Sequence, residues 1–152
     1  MDLDRFDCRL LTLLQENNLR TYDDLAAELG LSATAVRRRA RLLRQNGVIT
    51  RDVAIVDPAK FAITVIVSIR FEKESHATYQ TFKAKIKLAT EISQCYTVSG
   101  DVDFIIVGHF ADLKTYDEWV GTYLLSDPNI ARSTTNVVYT RVKFETAVRF
   151  KD

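Results

Sequence analysis

What the chain does not contain narrows its class before any motif is read. No apolar run approaches the roughly 18 residues that a bilayer-spanning helix needs, so no membrane segment is expected. The opening Met1-Asp2-Leu3-Asp4 is acidic and carries no signal-peptide pattern. Only two cysteines occur in 152 residues, Cys8 and Cys95, far apart and each inside an apolar pattern. Such cysteines read as buried thiols in a reducing compartment rather than as a disulfide framework. A soluble cytoplasmic chain without a membrane partner is the expectation. The two histidines, His76 and His109, are isolated, with no spacing that suggests a metal site. There is no G-x-x-x-x-G-K phosphate loop and no nucleophile-elbow motif. No metal and no other cofactor is therefore expected, and catalysis finds little support. Cys8 lies on an apolar helix and reads as core rather than nucleophile. Low-complexity stretches are also missing. With 47% hydrophobic and 27% charged residues, the composition is that of one compact domain or two small ones.

The most informative shortage is of acid in one place. The chain as a whole is nearly neutral, with 21 Lys+Arg against 20 Asp+Glu. Residues 1–30 carry three arginines and seven acids, a net −4. Residues 31–51 carry Arg37, Arg38, Arg39, Arg41, Arg44 and Arg51 with no carboxylate, a net +6. The remaining residues carry 12 basic and 13 acidic side chains, a net −1. A local basic stripe on a near-neutral chain is what a phosphate-binding surface looks like.

The first fifty residues read as three short helices. Asp4 caps the first, with Asp7 in its first turn, and Phe6, Leu10, Leu13 and Leu14 recur on one helical face. Thr21 caps the second, with Asp24 three residues on as an approximate capping box. Leu25, Ala26 and Leu29 form its apolar face, and Gly30 suits the left-handed position past its end. Only Leu31 separates that glycine from Ser32, the next cap, and Gly47 stops the third helix. Two helices joined by so tight a Gly-Leu-Ser turn make a helix-turn-helix, whose second member is the recognition helix. At about 100° per residue, Val36, Ala40 and Leu43 cluster on one side. Thr34, Arg37, Arg38, Arg41 and Gln45 cluster on the other. Arg39 falls on the flank of the buried stripe.

Beyond Val48 the pattern changes. "RDVAIVD" (51–57) reads as a connecting strand closed by Asp57-Pro58. Strand signals then lie at 63–72, 93–100, 103–110 and 133–144, and helical signals at 76–92 and 113–126. This order, βαβ followed by βαβ, predicts a ferredoxin-like sheet covered on one face by two helices. The expected fold is α+β. A helix-turn-helix domain spans 1–50, a linker strand 51–60, and a βαββαβ ferredoxin-like domain 61–152.

The polar face of the recognition helix has no i,i+4 acid partners to balance it. Ser32, Thr34, Arg37, Arg38 and Arg41 are therefore the candidate contacts to double-stranded DNA, with arginine suited to binding guanine O6 and N7 together. Which arginine reads a base and which holds phosphate stays open at this level. Arg39 takes the opposite assignment: its stem packs and its head finds a carboxylate of the domain, with Asp7 the candidate. Gly100-Asp101-Val102-Asp103, on its residues alone, is hairpin-turn chemistry.

Taken in order, "LDRFDCRLLTLL", "LAAELGLSATAVRRRARLLRQNGVI", "VDPAKF", "SGDVDFIIV" and "ARSTTNVV" carry a resemblance over nearly the whole chain. It resembles the Lrp/AsnC family of transcription regulators. The sequence departs from that pattern at Ala62, usually glycine, and at Ser133, usually threonine. The resemblance implies a DNA-binding regulator of homodimers, assembling to tetramers or octamers, whose C-terminal domains bind a small effector, commonly an amino acid, between subunits. It turns Gly100, Asp101 and Asp103 into candidate effector contacts, with hydroxyls added by Ser133 and Thr135, which share a strand face. A rival on the same architecture is an enzyme of the tetrapyrrole decarboxylase type, which needs basic and histidine side chains lining a cavity.

Overall fold

Three capped helices open the chain, and each cap is a local decision of the sequence. The computed structural model describes residues 2–150. Helix α1 (Arg5–Glu16) starts at a capping box in which Asp4 accepts from the Asp7 N–H and Asp7 accepts from the Asp4 N–H. Helix α2 (Tyr22–Leu29) starts at the reciprocal Thr21–Asp24 box and ends on Gly30 at φ 63°. Helix α3 (Ala33–Gln45) is capped by the Ser32 hydroxyl and stops before Gly47 at φ 70°. Leu10, Leu13, Leu25, Leu43, Val36 and Ala40 are fully enclosed or nearly so, and they form the core of this unit.

The chain divides into two compact units: residues up to 55 together with those from 143 onward, and residues 56–142. The first therefore takes in a C-terminal segment that sequence reading assigned to the second domain. The reason is a specific grip on α1. The Gln15 amide donates to the Val148 carbonyl at 3.0 Å and accepts from the Val148 N–H at 2.7 Å, and Phe150 packs against the helical core.

The second unit is a four-stranded antiparallel sheet in the order β2-β3-β1-β4. Its elements are β1 (Ile63–Phe71), α4 (His76–Lys87), β2 (Ile92–Thr97), β3 (Phe104–Phe110), α5 (Leu113–Val120) and β4 (Ile130–Val137), the expected βαββαβ order. A π-helical turn, Gly121–Leu125, extends α5. Alternation decides the faces: Val65, Val67, Ile69 and Phe71 of β1 and Phe104, Ile106 and Phe110 of β3 are buried under Phe82, Ile86, Tyr116 and Trp119. Gly108 lies in that buried row, where a Cβ would come within 2.7 Å of the Phe110 ring and 3.0 Å of Ile92.

Besides the helix expected at 76–92, which ends at Lys87, three details differ from the sequence reading. Residues 51–57 form no ladder among the described residues, because the chain offers that segment no strand partner; regular structure resumes only at the 3-10 turn Pro58–Lys60. The last strand begins at Ile130 and stops at Val137, where its pairing with Val65 ends. Neither thiol is buried: Cys8 is half-buried and Cys95 is exposed, since β2 is an edge strand open on one side.

Candidate nucleic-acid interface and effector cleft

The five arginines of α3 have three different fates. Arg39 turns inward, its Nη1 lying 2.7 Å from Asp7 and 2.8 Å from Asp4, and its guanidinium sits over the Phe6 ring. The hydrogen bond it donates to Asp7 above all pushes this guanidinium further up its already high range. Arg44 is engaged by Asp52, with Nε 2.8 Å and Nη2 2.9 Å from the two carboxylate oxygens. Asn18 donates to the same carboxylate at 2.9 Å, and the Arg44 hydrogen bond is the main cause of the lowered Asp52 pKa. Arg37, Arg38 and Arg41 are exposed and make no ion pair among the described residues. Thr34 is exposed beside them. The Ser32 hydroxyl is engaged as the cap, accepting from the Ala35 N–H at 3.2 Å. The candidate DNA face is thus one side of one helix, presented by the buried stripe Val36, Ala40 and Leu43 behind it.

Arg37 has a partner that sequence reading did not find. Its guanidinium rests over the ring of Tyr22, 5.4 Å from the centroid. No local pattern announces this contact, since fifteen positions separate the two residues and the helix-turn-helix geometry alone brings them together.

The turn after β2 places Gly100 at φ 127°, a left-handed value that suits glycine. A cleft of about 320 Å³ opens there, lined by Arg70, Phe71, Glu72, Glu74, Gly100, Asp101 and Asp103. The two aspartates differ sharply in what they do. Asp103 accepts from the Phe71 N–H at 2.6 Å on one oxygen and from the Tyr79 hydroxyl on the other, while its own N–H donates to the Ile69 carbonyl at 2.8 Å. The hydrogen bond between Tyr79 and Asp103 is the leading reason the Tyr79 phenol is pushed up to about 12. Asp101 is exposed in the cleft. Ser133 and Thr135 do share a strand face, opposite Ile69 and Val67, and Thr135 is hydrogen-bonded to the Tyr116 hydroxyl. They do not line the cleft, because β1 runs between β4 and the β3 end where the turn lies. Arg70, Glu72 and Glu74 were missed by sequence reading. Only the β1–β3 pairing, which sets Ile69 opposite Phe104, brings them to the turn.

Comparison with known proteins finds a family domain for each half of the chain. Residues 3–44 match the AsnC-type helix-turn-helix domain, and residues 64–148 match the Lrp/AsnC ligand binding domain. The chain is 39% identical over 150 residues to an uncharacterised helix-turn-helix transcriptional regulator of Sinorhizobium fredii, covering 97% of this chain and 89% of that one. It is 34% identical to the leucine-responsive regulatory protein of Haemophilus influenzae, covering 93% of this chain and 86% of the relative. An AsnC family transcriptional regulator from Agrobacterium tumefaciens has the same fold, with TM-score 0.87, 31% identity and 96% of each chain covered. A helix-turn-helix unit with an unpaired arginine face, a ferredoxin-like unit with a polar cleft, and these likenesses lead to one assignment. The chain belongs to the Lrp/AsnC family of transcriptional regulators.

Proposed function

We propose that this protein is a cytoplasmic regulator that binds double-stranded DNA sequence-specifically through α3 and answers to an amino acid at the Gly100 turn. The observation that carries the DNA reading is the trio Arg37, Arg38 and Arg41, exposed and without a carboxylate partner while Arg39 and Arg44 are both paired. Like charges on one helix face repel until phosphate neutralises them. Thr34 lies among them, and Ser32 contributes by holding the N-terminus of the helix that would approach the backbone.

For the effector, Asp101, Glu72 and Glu74 offer carboxylates to an ammonium group, and Arg70 offers a guanidinium to a carboxylate. Gly100 and the turn backbone complete the cleft. Asp103 also lines the cleft and is held in place there by the Phe71 N–H and the Tyr79 hydroxyl, one on each oxygen, which leaves each oxygen a further acceptor site. Ser133 and Thr135 would reach an effector only from a neighbouring copy. A relative that is 34% identical bears the name leucine-responsive regulatory protein, which supports the amino-acid class.

The working form is a homodimer that assembles further, to a tetramer or octamer. Support comes from Val53, Ile55 and Val56, which are 68%, 63% and 62% exposed on a segment that has strand character but no strand partner among the described residues. Pairing with the same segment of a second copy would satisfy its backbone and place two recognition helices on one DNA duplex. The role is regulatory rather than catalytic, and an absorbance scan for bound tetrapyrrole separates this reading from the decarboxylase alternative. A thermal-shift screen of the standard amino acids, with light scattering on the same sample, tests the effector and the assembly. A monomer at micromolar concentration, or no ligand response at all, would count against the respective part.

A further inference from the structure

Resting on the reading of α3 as the DNA-contacting helix, we propose that Arg37 reads a guanine in each half-site and that Tyr22 is the residue that positions it. The arginines of α3 differ in how their donors are used. A guanidinium has five N–H donors in one plane, and a carboxylate partner occupies those in-plane positions. Arg39 and Arg44 are occupied in that way. Arg38 and Arg41 have neither a carboxylate nor an aromatic partner among the described residues. Arg37 is the intermediate case. Its guanidinium lies over the Tyr22 ring, 5.4 Å from the centroid, a contact to an aromatic face that takes up none of its donors with a carboxylate.

Tyr22 is itself held. It is the first residue of α2, immediately after the Thr21 cap, and its half-buried ring packs against the helical core. The contact with Tyr22 therefore restrains a donor-rich fork at an exposed position. Arg37 is also the fifth residue of α3, in the N-terminal half through which recognition helices meet base edges.

Restraint of this kind matters differently for the two acceptors that an arginine meets on DNA. A phosphate is reached from many side-chain conformations, and its contact fixes position without carrying sequence information. Paired O6 and N7 acceptors on a guanine demand one geometry, which a free arginine would have to find at an entropic cost. Arg38 and Arg41, unrestrained and exposed, suit phosphate. Arg37, restrained but unsatisfied, suits the guanine edge.

The test uses the full-length protein, a randomised duplex library, and then two duplexes, the selected one and a scrambled one. Wild type should select a site with one position per half-site that strongly prefers guanine. Arg37→Ala should lose that preference and bind the selected duplex about tenfold more weakly, with little change on the scrambled duplex. Tyr22→Phe keeps the ring face and should retain the guanine. Tyr22→Leu should relax that position alone, with circular dichroism reporting that α2 and α3 are still folded. If Arg37→Ala keeps the wild-type consensus and weakens both duplexes equally, with a salt slope reduced by about one, Arg37 is a phosphate contact and the proposal fails. If Tyr22→Leu leaves the guanine preference intact while Arg37→Ala removes it, the positioning role fails. A wild-type protein that selects no sequence overturns the DNA reading itself, a result that neither variant can imitate.

Discussion

Arg39 and Asp7, thirty-two positions apart, meet at 2.7 Å, and they join the middle of the arginine-rich helix to the first turn of α1. Both side chains are largely withdrawn from solvent, at 20% and 13% exposure, so neither charge is well hydrated alone. Replacing Arg39 with Met keeps the stem and strands the carboxylate. A loss of about 2 kcal/mol in urea unfolding of the helical unit is expected. DNA affinity measured on the folded fraction should keep its wild-type salt dependence. A variant as stable as wild type would show that the pair is held for some other reason.

The opposite outcome is expected on the open face of the same helix. Arg37→Ala, Arg38→Ala and Arg41→Ala combined should shift the melting temperature little, because those side chains are exposed and have no carboxylate partner, and only Arg37 gives up a contact, the one with Tyr22. Binding to duplex DNA should collapse. The slope of log affinity against log salt should shrink by about 0.9 for every phosphate contact removed. An affinity in the wild type that ignores salt would contradict the phosphate role.

At the cleft, two neighbouring aspartates should give separable phenotypes. Asp103→Ala removes the acceptor of the Phe71 N–H and of the Tyr79 hydroxyl, so a destabilisation of about 2–3 kcal/mol is expected in thermal or urea unfolding. Asp101→Ala should leave stability within about 0.5 kcal/mol and abolish the ligand-induced shift in melting temperature. Calorimetry with whichever amino acid the thermal screen identifies decides the matter. Tight binding to Asp101→Ala would move the effector elsewhere.

The Tyr79–Asp103 bond also has a pH signature. The folded Tyr79 phenol titrates at about 12 rather than at the ordinary tyrosine value of 10.0, so the folded state holds this proton more tightly than the unfolded chain. Stability from the contact is fully present below pH 10 and is lost as pH rises toward 12. Phenolate absorbance should therefore show Tyr79 titrating late, with Tyr116, which burial raises, as the second late group. Tyr79→Phe should remove that late step and flatten the alkaline loss of stability.

Gln15 offers a compact test of the C-terminal grip. Its amide satisfies both the N–H and the carbonyl of Val148, so Gln15→Ala leaves two backbone groups to water. Amide exchange at Val148 should accelerate, while exchange within β1 should not change.

Much of the helical unit was legible from residues alone, because its determinants are local. Asp4, Thr21 and Ser32 each cap a helix through a backbone N–H three residues ahead, Gly30 supplies the left-handed stop, and Val36, Ala40 and Leu43 set the buried stripe at helical spacing. The partition of Arg39 from the open face came from the same angular count. The strand–helix order of the second unit was legible for a similar reason, since period-two burial in β1 and β3 is written in consecutive residues. What only the tertiary structure decided are meetings across long sequence separations. Asp103 becomes a latch because the β1–β3 register carries it to Phe71, and α4 then delivers Tyr79 to its other oxygen. Arg70 reaches the Gly100 turn by that same register, whereas Ser133 and Thr135 stay on the far side of β1. Tyr22 lies under Arg37 because a tight turn folds α2 onto α3. Hydrogen-bond capacity is a property of each residue, but which partner uses it up is set by packing, so a sequence names candidate groups and the fold decides which of them remain free to bind.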